Sequence, residues 1–412
     1  MNILIIILKI LSFLILGLFL YMNISVWINA RAPLNVIFTV PKIMYPNIVV
    51  PVSVVYGILI VIVVSVMFFK HEYSNSVYLK TVLIFLSVFL INSLVLITML
   101  KSSESSVLNE CLKEIEYKGK TDIFTESDFK LTEYQEISNL KLFIPRDCDN
   151  KKTLLLYLPY GNWRVHENLS ISGYLKDTVI RGGFSFGYLS CSGRYESDIF
   201  KIVSELKRGI KLIKDDDRFD FKNIILSGGS AGGHISLLTA YSQYQDIYDQ
   251  FDTKVTVDGI VAFYSPTDMF IDYDKFVTNA GNEWYDKIGD RIYSTQDNYP
   301  SLKESHIAAM ETLFGGKPDT CEELYRLGSP VELIHDEVPP TLIIHGEHDS
   351  MTSFKAADNF YIKLKRKNLN ADFVSLKNTD HAFDTMLQRI SIPVDIAYTN
   401  MIKWLDKNYR QK

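Results

Sequence analysis

The sequence predicts an α/β architecture, a mostly parallel sheet flanked by helices, preceded by about three transmembrane helices. Three observations predict it. Apolar residues concentrate in the first hundred positions. Beyond about residue 118, short apolar runs alternate with amphipathic helical patterns. One of those runs, "KNIILSGG", breaks abruptly into "SAGGH" and then a helical stretch. The chain has 412 residues and a formal net charge of −5, with no dense Lys/Arg block interleaved with aromatics, so nucleic acid is not an expected partner.

The membrane part comes first, and a boundary near 103 separates it from a domain over 104–412. Its three apolar runs cover 3–21, 48–69 and 81–100, each near the roughly 20 residues a helix needs to cross a hydrocarbon core. Lys70, Lys80 and Lys101 sit at run ends, where a long side chain reaches the interface. Lys9 interrupts the first run, and Pro33 follows the single small-x-small candidate, Ala30-Arg31-Ala32, which argues against a cleaved signal peptide. Neither later run has a polar face, as a helix of a soluble core would. The expectation is an integral, multi-pass membrane protein with the lipid bilayer as a partner. Residues 22–47 read as a mixed loop, and the basic residues leave open which side the large domain faces.

The second part alternates. Strands are expected at 140–145, 153–160, 184–192, 222–229, 257–265, 340–347 and 372–378. Helices are expected at 197–214, 231–243, 354–368 and 392–407. Several strands are unbroken apolar runs, the pattern of a parallel sheet covered on both faces. The stretch 267–330 breaks the rhythm and carries Phe270, Tyr273, Phe276, Trp284, Tyr285 and Tyr293; it reads as a cap over a pocket. The four cysteines, Cys111, Cys148, Cys191 and Cys321, form no C-x-x-C pair, so buried thiols are expected rather than a metal or redox site.

Chemistry enters at Ser230. It sits between a strand and a helix, with Gly228 and Gly232 on either side, the setting of a nucleophile on a turn too sharp for neighbouring side chains. A serine hydroxyl is a weak nucleophile and needs a base and a group to orient that base. His381 follows the last strand and Asp349 the one before, so all three lie past strand ends on one edge of the sheet. Of the other histidines, His234 is expected to pack locally, His345 to be a core residue and His348 to be exposed. Asp380 and Asp384 flank His381 too closely in sequence to aim at its Nδ1, and Glu347 is the substitute acid.

The stretches "GGSAGGH", "SPVELIHDEVPPTLIIHGEHD", "DHAFD" and "LLLYLPYGNW" resemble the hormone-sensitive-lipase-like esterase and acetylesterase branch of the α/β-hydrolase superfamily over residues from about 140 to 410. That resemblance implies the α/β-hydrolase fold and a Ser230–Asp349–His381 triad, with neither metal nor organic cofactor. Two positions depart from the family pattern. Gly229 stands where an acidic residue usually precedes the serine, and Pro159-Tyr160-Gly161-Asn162-Trp163 replaces His-Gly-Gly-Gly-Trp. The oxyanion hole would then use backbone N–H groups of Gly161, Asn162 and Ala231, although Tyr160 and Asn162 restrict turns that glycine allows. Tyr160, Trp163 and Gly229 are expected to line the substrate pocket. The implied activity is hydrolysis of a small-molecule or lipid-like carboxylic ester. Acyl transfer, amide cleavage by the same triad, and an inactive membrane scaffold are the alternatives.

Overall fold

A computed structural model describes residues 2–27, 35–69, 76–101, 120–125, 137–146, 148, 152–165, 173–191, 198–279, 302–385 and 388–410. It begins with three helices, α1 (Asn2–Ser25), α2 (Asn35–Phe69) and α3 (Val77–Lys101). Among the described residues two segments are long and apolar enough to cross a membrane, Tyr45–Phe69 and Val77–Leu100, where three were expected. A second difference lies in the segment expected to be loop over 22–47. Helix α2 starts at Asn35, so residues 35–47 extend the apolar run as one continuous helix.

The three helices pack on one another through Leu16, Tyr56, Leu86 and Phe89. A buried polar network also joins them. Tyr45 donates to Asn23 Oδ1 at 2.9 Å and lies 2.8 Å from Ser93 Oγ, while Asn92 Nδ2 donates to the same Asn23 oxygen at 2.7 Å. Side chains that satisfy one another across helices hold such a bundle together where apolar surface alone does not discriminate.

The sheet follows. Its strands are β1 (Thr121–Thr125), β2 (Ile137–Pro145), β3 (Thr153–Tyr157), β6 (Ser185–Cys191), β7 (Asn223–Gly229), β8 (Gly259–Phe263), β9 (Thr341–Gly346) and β10 (Ala371–Leu376), in spatial order β1-β2-β6-β3-β7-β8-β9-β10. The first two strands run antiparallel at one edge, and every pairing from β6 to β10 is parallel. A short hairpin, β4 (Tyr160–Gly161) with β5 (Arg164–Val165), stands apart from the sheet. The expected strand at 153–160 is therefore two pieces.

Alternation along each strand sends side chains to opposite faces. Leu154, Leu156, Leu226, Ile260 and Ala262 enter one core with the helices α5 (Ile199–Lys214), α6 (Ala231–Tyr241) and α10 (Phe354–Arg366). Leu155, Ile225, Val261 and Phe263 enter the other with α4 (Gly173–Arg181) and α11 (Ile392–Tyr409). Between β8 and β9 the chain forms α7 (Met269–Asn279), α8 (Leu302–Phe314) and α9 (Glu322–Leu327). Of the aromatic residues expected to form a cap, Trp284, Tyr285 and Tyr293 lie outside the described residues. Phe270 and Tyr273 pack on Tyr325, with ring centroids 5.7 and 5.8 Å apart.

The second core does not end at the sheet. Val26, Tyr45, Val49, Leu96 and Leu100 from the helical bundle join Phe383, Val394, Tyr398 and Met401 in one continuous cluster. Of the cysteines, Cys148 and Cys321 are half-buried and Cys191 is fully buried; all three are free thiols, and Cys111 lies outside the described residues.

Candidate active site

Ser230 links β7 directly to α6 with φ 53° and ψ −122°, a conformation that non-glycine residues adopt only when their surroundings enforce it. The surroundings here are backbone. A Cβ on Gly228 would lie 2.4 Å from the Gly232 carbonyl carbon, and one on Gly232 would lie 2.2 Å from the Leu158 carbonyl oxygen. Backbone atoms cannot swing aside as a flexible side chain can, so only glycine fits at these two positions. Gly229 is excluded from bearing a side chain by a different neighbour. A Cβ there would meet the Tyr264 hydroxyl at 2.5 Å, so that phenol, rather than open substrate space, occupies the position where family members carry an acidic residue.

Asp349 and His381 reach the serine from loops that follow β9 and β10. The His381 Nε2 lies 3.1 Å from Ser230 Oγ, and its Nδ1 lies 2.9 Å from Asp349 Oδ2. Asp349 is buried, and its Oδ1 accepts the N–H groups of Met351 and Thr352, both at 2.8 Å. Burial alone would raise its pKa. The neighbouring His381 and the hydrogen bonds from His345 and His381 outweigh that penalty and hold the carboxyl well below its ordinary range. A permanently ionised carboxylate beside Nδ1 fixes the proton there and leaves Nε2 as the acceptor facing the serine.

Two residues around this chain escaped sequence reasoning in their true role. His345, read as a core histidine, is fully buried but also lies 3.1 Å from Asp349 Oδ2 through its Nε2. Burial lowers its pKa, so it sits neutral and donates to the acid. Asp380 accepts from the His381 N–H at 2.6 Å and from Ser350 N and Oγ at 2.7 and 2.8 Å, tying the histidine loop to the acid loop. Asp384 accepts from Tyr264 Oη at 2.5 Å instead of facing the imidazole, and the Tyr264 ring packs edge-on against His381 at 4.8 Å. Glu347 accepts from Ser375 Oγ at 2.6 Å, and His348 is half-buried rather than exposed.

The loop expected to provide the oxyanion hole is the β4–β5 hairpin. Asn162 and Trp163 form its two-residue turn with φ 50° and 56°, the left-handed pair of a type I′ turn. Asn tolerates that region; Trp does not do so readily and is held by its side chain. Trp163 Nε1 donates to His234 Nδ1 at 2.8 Å, and His234 Nε2 lies 2.8 Å from the Gly328 carbonyl. Burial depresses the His234 pKa to about 4, which keeps Nδ1 available as an acceptor. Tyr160 Oη accepts from the Cys191 N–H at 2.9 Å. Tyr160 and Trp163 are therefore buried in the hairpin and tied inward by these bonds. Ala231 is the first residue of α6, where backbone N–H groups lack helical partners.

Helix α7 grips the acid loop from outside. Lys275 Nζ donates to the carbonyls of Asp349 at 2.7 Å and Thr352 at 2.5 Å, and buried Asp272 accepts the Ser353 N–H at 2.7 Å. Burial raises the Asp272 carboxyl to about 7. Among the described residues, no group of three His, Cys, Asp or Glu side chains is placed to hold a metal ion.

Comparison with known proteins agrees with this arrangement of elements. The chain belongs to the BD-FAE family, whose model matches residues 140–364. It is 23% identical over 280 residues to the probable carboxylic ester hydrolase LipM of Mycobacterium tuberculosis, covering 64% of this chain and 58% of that one. It is 24% identical over 239 residues to the esterase LipQ of the same organism, covering 56% and 50%. The chain thus spans about half the length of these curated relatives. A crystal structure of a mutant of the esterase E40 superposes with a TM-score of 0.50 at 15% identity, covering 74% of this chain and 90% of that one, which shows the shared α/β-hydrolase fold.

Two predictions follow from the hairpin and from α7. For the ester hydrolysis proposed below, Asn162→Gly keeps the left-handed turn and should hold turnover within about threefold, whereas Asn162→Val forces a β-branched residue into φ 50° and should lower it about 10²-fold, read from steady-state kinetics. Asp272 has a folded pKa of about 7 against an ordinary 3.8, so it stabilises the fold fully only below about pH 4, and that contribution is lost as pH rises through about 7. Asp272→Asn keeps the acceptor for the Ser353 N–H but does not titrate. Melting temperatures across pH 4–8 should therefore show the wild type losing ground to the variant as pH rises; parallel profiles would contradict the assignment.

Proposed function

Taking membership of the BD-FAE family as the premise, we propose that the chain is a membrane-anchored serine hydrolase that cleaves carboxylic esters through an acyl-enzyme on Ser230. The observation that carries the proposal is the unbroken chain Asp349–His381–Ser230, with spacings of 2.9 and 3.1 Å, ending on a serine held in a strained turn. His381 Nε2 takes the Ser230 proton as Oγ attacks the ester carbonyl. Asp349 stabilises the resulting imidazolium and keeps it oriented. The backbone N–H groups of Gly161, Asn162 and Ala231 are the proposed donors to the oxyanion. The imidazolium then protonates the leaving alcohol, and water attacks the acyl-enzyme with His381 again as base. The ester-hydrolase and esterase names of the two mycobacterial relatives support ester cleavage.

The anchor reading rests on the bundle. Segments Tyr45–Phe69 and Val77–Leu100 have mean hydropathies of 2.8 and 2.6, and large apolar side chains such as Val61, Phe68 and Ile91 point outward. We place these two segments across the bilayer with α1 alongside, tied in through Asn23. One end of the bundle packs against α11 and the loop bearing His381. That would hold the triad near lipid headgroups and makes a lipid-like or membrane-delivered ester the substrate class in this reading. The cofactor requirement is none, because the triad supplies nucleophile, base and electrostatic stabilisation from side chains alone.

The test uses full-length protein in detergent and a series of p-nitrophenyl esters of increasing acyl length. Ser230→Ala and His381→Ala should each lose at least about 10³-fold in kcat while keeping the wild-type melting temperature. Turnover that survives Ser230→Ala would remove the proposed nucleophile.

A further inference from the structure

The helical bundle does more than contact the hydrolase part: it places one polar side chain on the loop that carries His381. Asn47 lies on α2, two residues past Tyr45, and is 1% exposed. Its amide Nδ2 donates to the Phe383 carbonyl at 3.2 Å, and its Oδ1 accepts from Ser391 Oγ at 2.5 Å. Phe383 is two residues beyond His381. Ser391 is the N-cap of α11, accepting the Val394 N–H at 3.2 Å, so the bond fixes the far end of the same connection. Around Asn47 the interface is apolar, formed by Val26, Tyr45, Val49, Leu96 and Leu100 against Phe383, Val394 and Tyr398. An amide buried there costs free energy unless it is hydrogen-bonded, and the two bonds named run from α2 into the hydrolase part.

The loop from 380 to 385 is held on its inner side by Asp380 on the acid loop and by Asp384 on Tyr264. Its turn contains Ala382 at φ 52°, a strained residue directly beside His381. Backbone strain of this kind persists only where neighbouring contacts hold it. Asn47 supplies such a contact from outside, at the carbonyl of the next residue.

We infer that Asn47 is a positioning residue for His381, so that catalytic competence depends on the docked helix α2 and the anchor is part of the catalytic architecture rather than a tether. The inference rests on the serine-hydrolase reading above. Nothing in it requires Asn47 to touch substrate. Its effect passes through the Phe383 carbonyl and the 380–385 turn to the imidazole. A displacement of His381 by a fraction of its hydrogen-bond length disturbs proton transfer to and from Ser230 without altering how an ester is bound.

The experiment is steady-state hydrolysis of a short, water-soluble p-nitrophenyl ester by the full chain reconstituted in phosphatidylcholine vesicles. Asn47→Leu removes both bonds. Asn47→Ala also removes both bonds, without adding bulk or charge. Ser53→Ala, on the same helix and bonded to the Val50 carbonyl within it, is the control. Both Asn47 variants should lose about tenfold or more in kcat with KM within about twofold, whereas Ser53→Ala matches the wild type. Wild-type kcat in both variants would overturn the inference, as would a loss confined to KM. If Asn47→Leu fails to fold, Asn47→Ala decides alone, since it adds neither bulk nor charge to the interface. A wild-type chain with no turnover would strike instead at the hydrolase reading, so the two failures are distinguishable.

Discussion

Backbone must pass within contact distance of backbone at the end of β7, and the rest of the site depends on that constraint. The Leu158 carbonyl lies where a side chain on Gly232 would begin, and the Gly232 backbone lies where one on Gly228 would begin. Together they force the strand-to-helix transition into a single residue, Ser230, whose left-handed φ lifts its hydroxyl clear of both elements. The same approach brings the strand leading into the β4–β5 hairpin directly over the start of α6. Nucleophile and hairpin are thus parts of one close contact, made possible by small residues.

Around it, buried charge is handled by pairing. Asp349 is removed from water yet stays ionised, because two imidazoles and backbone N–H groups replace its hydration. The carboxyls without a hydrogen-bonded imidazole, Asp272, Asp380 and Asp384, have pKa values raised by burial and serve as structural acceptors. This separation lets several acids crowd near one histidine while a single one orients it. Lys275 completes the acid loop by binding carbonyls instead of carboxylates, which stiffens the loop without competing for Asp349.

Much of the fold was legible because parallel strands covered on both faces leave an unmistakable record. Residues 222–229 and 340–347 are apolar runs with glycine or polar residues at their carboxyl ends, and both match strands to within a residue or two. The order and edge placement of Ser230, Asp349 and His381 could be read for the same reason. What could not be read was the direction of side chains in three dimensions. The motif holding Tyr160 and Trp163 says nothing of Cys191 and His234, distant in sequence, which bond their side chains. His345 carries no local mark of its bond to Asp349 beyond a spacing of four. Residues 22–47 read as a mixed loop, yet helix α2 starts at Asn35 and runs through Pro41 and Pro46.

That packing joins the bundle and the sheet into one apolar core, so the proposed anchor and the proposed triad share a loop. The central claim remains the chemistry at Ser230, and the most direct measurement is mass spectrometry of the full-length protein quenched during turnover of a slowly deacylated ester, followed by peptide mapping. The account predicts an acyl adduct on the peptide containing Ser230, formed before steady state and absent from Ser230→Ala. Turnover without that adduct, or an adduct on another residue, would contradict it.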